Sequence, residues 1–230
     1  MTIEEDLAQI QEAMDECGCK TVEKKGWFWN ILHFIVMVVT FGTNRRFKQD
    51  YITTLGPWIG VNERYSTMEP LHKAELLRHE FQHTLQCVNM SLFFPIIPAL
   101  LTWLIQGDVN VATNVFFGAF FVMCILFILS PKSCAVLGLP IMGVMYVLLP
   151  LPIGLAYFRW RFERAAYLKG MLVIARHNDK KLPISYVNNA VKQLTTGLYG
   201  WTWPFPKNAR KWFDAALKCN KVTVELEVVK

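Results

Sequence analysis

Apolar residues recur at helical spacing from the start of the chain. Ile3, Leu7, Ile10, Met14 and Cys17 share one side of a segment that opens on the Thr2 and Glu5 of a capping box. Residues 1–25 therefore predict an amphipathic helix whose acidic face opposes a basic remainder, either packed on its own domain or covering a cleft as a regulatory segment. Residues 51–61 change period and read as a strand, a Gly56-Pro57 turn and a second short strand. Helical spacing returns over residues 71–86. Glu69-Pro70 signals the start, since proline suits the first helical position, and Ala74, Leu77, Phe81 and Leu85 form a core-facing stripe. Beyond residue 169 the pattern stays helical to Asn178, runs through a polar turn at 179–183 and becomes helical again over 187–198. Residues 199–206 are too few to span a bilayer and too aromatic for a free linker, so they suit an interfacial anchor or a lid. Residues 222–229 alternate like an edge strand.

Four stretches are apolar almost throughout. Residues 27–42 are interrupted only by Asn30, His33 and Thr40, residues 90–105 are broken by Pro95 and Pro98, residues 111–129 are nearly uninterrupted, and residues 135–158 contain Pro140, Pro150 and Pro152. A hydrocarbon core about 30 Å thick needs roughly 20 apolar residues in a helix, which only 111–129 meets cleanly. The prolines of the last stretch predict a break before the next helix. Composition agrees with membrane insertion: 53% hydrophobic residues, with 16 phenylalanines and 8 tryptophans, is more than a soluble domain of 230 residues ordinarily carries. A lipid bilayer is the first partner to expect.

Chemistry concentrates at residues 79–83, His-Glu-Phe-Gln-His. Positions four apart share a helix face, so His79 and His83 can reach one zinc ion while Glu80 stands beside it as a general base. Zinc lowers the pKa of water from about 15.7 to about 7, which lets a carboxylate accept the proton at neutral pH. The histidines lie opposite the apolar stripe, as ligands lining a cleft would; a solvated polar face is the plain alternative. A catalytic zinc site takes three protein ligands. Other histidines serve poorly: His33 lies in an apolar run, His177 lies far downstream, and His72 precedes His79 by seven residues, roughly 10 Å along the axis. A carboxylate is the better third ligand.

The strongest remaining polar cluster, at residues 161–167, stands where a long apolar stretch yields to a charged helix. H-E-x-x-H followed by a helical glutamate with alanine three residues on resembles the glutamate-zincin metallopeptidases. In layout it is most similar to the membrane-integrated zinc proteases, whose second motif reads E-x-x-A-D. That resemblance implies Glu163 as the third ligand, with Ala166 matching. Tyr167 departs from the pattern. The aspartate expected there orients a ligand histidine, and such partners tune metal affinity by about 10 to 100-fold, so another residue fills that role or the site is tuned differently. A looser similarity is to small zinc-peptidase-like proteins of phages and bacteria, which place a T-T-x-G strand before H-E-x-x-H and an E-x-x-A-Y helix after it. Residues 53–56, 79–86 and 163–167 carry this likeness, within residues 51–170. An edge strand beside the metal helix of such enzymes pairs with extended substrate, so the hairpin at 51–61 is a candidate substrate cradle; a purely structural hairpin is the alternative. Tyr167, His177 and Arg161 are the candidates for oxyanion stabilisation.

If Glu163 completes the site, the chain between His83 and Glu163 crosses a bilayer an even number of times. Two crossings suffice, either 90–105 paired with 111–129 across the turn at 106–110, or 111–129 paired with 135–149 across 130–133. Basic residues such as Arg45, Arg46, Arg64, Arg78, Arg159 and Arg161 flank the motifs, whereas those two turns carry only Asp108 and Lys132, which predicts a cytoplasmic catalytic face. A net charge of +6 suits anionic headgroups. No nucleic-acid motif accompanies it, and no nucleic-acid partner is expected. Cysteines 17, 19, 87, 124, 134 and 219 form neither a disulfide framework nor a C-x-x-C zinc pattern, in keeping with a reducing compartment. Residues 1–25 are polar and acidic, unlike a cleavable signal peptide.

Together these features predict a mainly α single unit over residues 1–230, with zincin-like metal-site helices, a small β-hairpin and inserted transmembrane helices. Its parts are the amphipathic helix in 1–25, the hairpin and metal helix in 51–87, membrane segments in 90–158, and the third-ligand helix with the C-terminal region in 159–230. The expected function is that of a membrane-associated zinc metallopeptidase acting on a peptide or protein substrate, with His79, His83 and Glu163 binding zinc and Glu80 and Tyr167 as catalytic residues. The alternatives are a zincin-like membrane scaffold without turnover and a hydrolase of a non-peptide bond.

Overall fold

The N-terminal capping box forms as expected. In the computed structural model, which describes residues 1–39, 45–147, 157–196 and 205–225, Thr2 caps helix α1 (Ile3–Glu16), its hydroxyl accepting from the Glu5 amide while the Glu5 carboxylate accepts from the Thr2 amide. Ile10 and Met14 of α1 are buried with Ala74, Leu77 and Phe81 of α4 (Pro70–Met90). These are the residues of the predicted stripe, so α1 packs on the side of α4 opposite His79 and His83 and does not cover them. Its buried Asp6 bonds to Arg176 at 2.7 Å and His177 at 2.9 Å, at the far end of α8 (Tyr157–Arg176), which gives the acidic helix its basic counterpart.

The hairpin forms from β2 (Thr53–Leu55) and β3 (Trp58–Val61), antiparallel, with Thr54 opposite Ile59 and Gly56 at φ +61° in the turn. A third strand, β1 (Lys20–Glu23), joins β3 in parallel, giving the order β1-β3-β2. Between β1 and β2 run α2 (Trp27–Val39) and the short α3 (Phe47–Asp50). Helix α2 has 13 residues, about 20 Å at 1.5 Å per residue, short of a bilayer core. The rest of the apolar stretch, 40–42, lies outside the described residues. Of the aromatic run 27–29 only Trp29 turns inward, packing over Gly60, where a Cβ would overlap its ring.

Helix α4 ends in a 3-10 turn, Ser91–Phe93, followed by α5 (Ile96–Gln106) and, after Gly107 at φ +67°, α6 (Val109–Leu129), which Asp108 caps by accepting from the amides of Asn110 and Val111. Helix α7 (Pro131–Val147) completes this region. The helical runs Pro70–Gln106 and Val109–Leu129 are long and apolar enough to cross a membrane. Helices α5 and α6 pack on each other and expose Leu100, Leu104, Phe117, Phe121 and Ile128. Helix α7 instead packs on α4, burying Cys134 and Ala135. Helix α6 touches both of its sequence neighbours, α5 more extensively than α7. Pro140 sits inside α7, while Pro150, Pro152 and the break expected before the next helix lie outside the described residues.

The C-terminal region packs α8 against α9 (Ile184–Thr195) and α10 (Pro206–Cys219), with a parallel pair of β4 (Lys181–Pro183) and β5 (Thr223–Glu225). Trp160, Leu182, Leu194, Phe213 and Leu217 form its core. The predicted edge strand is thus described over Thr223–Glu225 only, and residues 226–229 lie outside the described residues, as do 199–204 of the aromatic stretch. The fold is mainly α with a small sheet.

Candidate metal centre

Helix α4 buries two faces. One carries the apolar stripe; the other carries His79 and His83 under α8, where Glu163 is only 4% exposed. His83 is buried and His79 half-buried, with 14% of its side chain exposed, so a solvated polar face is an incorrect description of them. Glu163 Oε2 lies 3.7 Å from His79 Nε2 and 3.6 Å from His83 Nε2. The three side chains offer ligand atoms within 4.8 Å of one another and form a group that could hold a metal ion. Ligand bonds of about 2.0–2.1 Å in a tetrahedral set place donor atoms roughly 3.3–3.4 Å apart, which the two Glu163–histidine distances already approach, while the full 4.8 Å spread of the group must narrow by about 1.4 Å, a side-chain rotation. Burial works against the charge of Glu163, yet the imidazoles of His83 and His79 and the Arg159 guanidinium hold its carboxyl at about 2.

Glu80 projects toward the hairpin. Its carboxylate Oε2 accepts from the Thr54 hydroxyl at 2.7 Å, and its backbone carbonyl lies 3.0 Å from the same hydroxyl. One helical turn on, the Thr84 hydroxyl donates to the Gly56 carbonyl at 2.9 Å. Two residues of strand rise about 6.6 Å and four of helix about 6 Å, so contacts at 54 and 56 match those at 80 and 84 and lay the hairpin along α4. The T-T-x-G segment is thereby fastened to the H-E-x-x-H helix. Behind it, buried Lys24 donates to the carbonyl of Tyr51 at 2.9 Å and the hydroxyl of Thr53 at 2.6 Å, and its ammonium sits 4.1 Å from the Phe47 ring centre. Burial pulls that amine down to about 8, with the Glu80 charge opposing.

Of the three candidates for oxyanion stabilisation, Tyr167 is brought to the centre: its ring meets His79 edge to face, centroids 4.7 Å apart at 81°. His177 is engaged with Asp6, 14 residues along from Glu163, or about 21 Å at 1.5 Å per residue. Arg161 is exposed at the start of α8. His72 lies 3.4 Å from both Glu69 and the Tyr186 hydroxyl. Sequence reading missed three contributors: Lys24, the bonding of Thr54, and Gln86. Gln86 is buried, lies 2.8 Å from His83 Nδ1 through Oε1, and donates from Nε2 to the Phe162 carbonyl at 3.0 Å. Its position three residues after His83, on the same helix face, was a legible signal.

Comparison with protein-family models, with curated proteins and with solved structures gives no match in any of the three. The centre is thus characterised by its own chemistry, two imidazoles and a carboxylate on two helices with a second carboxylate, Glu80, in the next position of the chain.

Proposed function

We propose that the chain is a membrane-associated zinc metallopeptidase that hydrolyses peptide or protein substrates. The observation that carries this reading is the convergence of His79, His83 and Glu163 from α4 and α8 beside a Glu80 held by Thr54. Two imidazoles and one carboxylate are donors suited to zinc, and a three-ligand set leaves a coordination position open. A bound zinc ion would supply a Lewis acid that acidifies water and polarises a carbonyl. Glu80 takes the proton of the attacking water on the carboxylate oxygen that Thr54 does not hold, and returns it to the leaving amine. Tyr167, packed on His79, steadies the developing oxyanion through its hydroxyl. Strand β2, at the edge of the sheet, offers main-chain groups to an extended substrate.

The bilayer partner follows from the apolar exterior. Helices α5 and α6 are the inserted pair, and the exposed stripe of Trp27, Ile31, Phe34, Ile35 and Val38 on α2 lies against lipid. Gly18 packs against Lys132, which puts the start of α7 beside the catalytic body and leaves the Gly107-Asp108 turn as the far end of the pair. The arginines near the motifs then mark the catalytic side as cytoplasmic.

The test is metal analysis and hydrolysis of an unfolded protein substrate by the full chain in detergent. Zinc with hydrolysis supports the reading. Zinc without hydrolysis overturns it in favour of a scaffold.

A further inference from the structure

We infer that Gln86 is the positioning residue of this centre, setting the tautomer of His83 so that Nε2 presents its lone pair beside Glu163. This rests on the metal-centre reading. A side-chain amide has one end that only donates and one that only accepts, and two neighbours fix which end is which. The Phe162 carbonyl carries no hydrogen, so the group 3.0 Å from it is the amide nitrogen of Gln86. Oε1 is then the end 2.8 Å from His83 Nδ1, and because an oxygen only accepts, Nδ1 carries the hydrogen. An imidazole that ligates a metal is neutral and has one N–H, so with the hydrogen on Nδ1 the ligating atom is Nε2, 3.6 Å from Glu163 Oε2. Turning the amide over would set oxygen against oxygen at Phe162. Gln86 is buried, so water does not compete for either end. Because Phe162 directly precedes Glu163, the same amide couples the ligand on α4 to the ligand on α8.

The arrangement separates two roles that substitution can tell apart. Gln86→Leu removes both the acceptor for His83 and the tether to Phe162. Gln86→Glu keeps an acceptor for Nδ1–H and loses only the donor. In a competition titration of zinc against a chelator, using the full chain in detergent, Gln86→Leu should bind about 10 to 100-fold more weakly than the wild type, and Gln86→Glu should recover most of that loss. A residue that merely tied α4 to α8 would leave Gln86→Glu as weak as Gln86→Leu. Imidazole nitrogen NMR of the zinc-loaded wild type, assigned with His83→Ala, should place the His83 proton on Nδ1. Wild-type affinity in Gln86→Leu, equal weakness in both variants, or zinc on Nδ1 each overturns the inference while leaving the zinc reading intact. A wild type that binds no zinc overturns both.

Discussion

Glu80 and Glu163 are both buried carboxylates, yet their neighbours assign them different work. Glu163 faces two imidazoles, whereas Glu80 faces a hydroxyl at 2.7 Å. Glu80→Gln should therefore keep zinc and lose hydrolysis by about 10² to 10⁴-fold, because an amide cannot take the proton of water; retained activity would contradict the peptidase reading. Glu163→Ala should lose zinc about as badly as His79→Ala in the same titration, and zinc retention there would mean another third ligand. Lys24 predicts a dependence on pH. Its amine titrates near 8 when folded against 10.5 for a lysine fully in water, so between those values the unfolded chain binds a proton that the folded chain does not. Stability contributed by this site rises with pH across that window, and the cost of burying the charge is complete below about pH 8. The melting temperature of the wild type minus that of Lys24→Met should thus increase from pH 8 to 10; a flat difference would show that Lys24 keeps its proton.

Contacts between elements depend on how closely backbones approach. Gly138 of α7 meets α4 so tightly that a Cβ would overlap the Cys87 carbonyl, a backbone group that cannot swing aside. Gly138→Val should therefore force α7 off α4 and destabilise the chain by about 1–3 kcal/mol, read as a lower melting temperature. Gly118→Val in α6 is the control, since nothing lies within 4 Å of a Cβ there and the helix propensity of valine is no worse than that of glycine. A similar loss at both positions would assign the effect to helix chemistry and not to the α4–α7 contact. Gly56 belongs to the tight class as well: its φ of +61° and the Ala135 carbonyl, which a Cβ at this position would meet at 2.9 Å, tie the hairpin turn to α7.

For the molecule as a whole, if α5 and α6 cross a bilayer as proposed, a centre assembled from residues 79, 83 and 163 requires that both ends of the pair return to one face. With the six native cysteines replaced by serine, single cysteines introduced at Asp108 and Lys180 should accordingly react with an impermeant thiol reagent from opposite sides of sealed vesicles. Labelling of both from one side would show that α5 and α6 do not cross. Tight packing on the body and an apolar exterior on the pair are compatible because the two surfaces sit on different helices: α7 contributes Cys134 and Ala135 to the interior, while α6 exposes Phe117, Phe121 and Ile128.

What the sequence determined by itself is local. The Thr2–Glu5 cap, the Gly56-Pro57 turn, the start of α4 at Pro70 and the i, i+4 spacing of the histidines all arise from preferences that act within a few residues, and each was legible before any fold was known. Helix α10 carried the same kind of signal in Ala209, Phe213 and Leu217, spaced four apart and buried, and it went unread beside the aromatic stretch that precedes it. Strands β1 and β4 were not legible, because three or four residues make a strand only when a partner supplies hydrogen bonds, and those partners lie at positions 58–61 and 223–225. The resemblance proposed Glu163 as a ligand, but only packing decided that its carboxylate meets the histidines. Packing likewise set Thr54 on Glu80 across 26 positions and Gln86 on Phe162 across 76. Those contacts follow from how closely α4, α7 and α8 approach, and the closeness is decided by shape in a dense interior, where a glycine at 138 and a carbonyl at 87 matter as much as any motif.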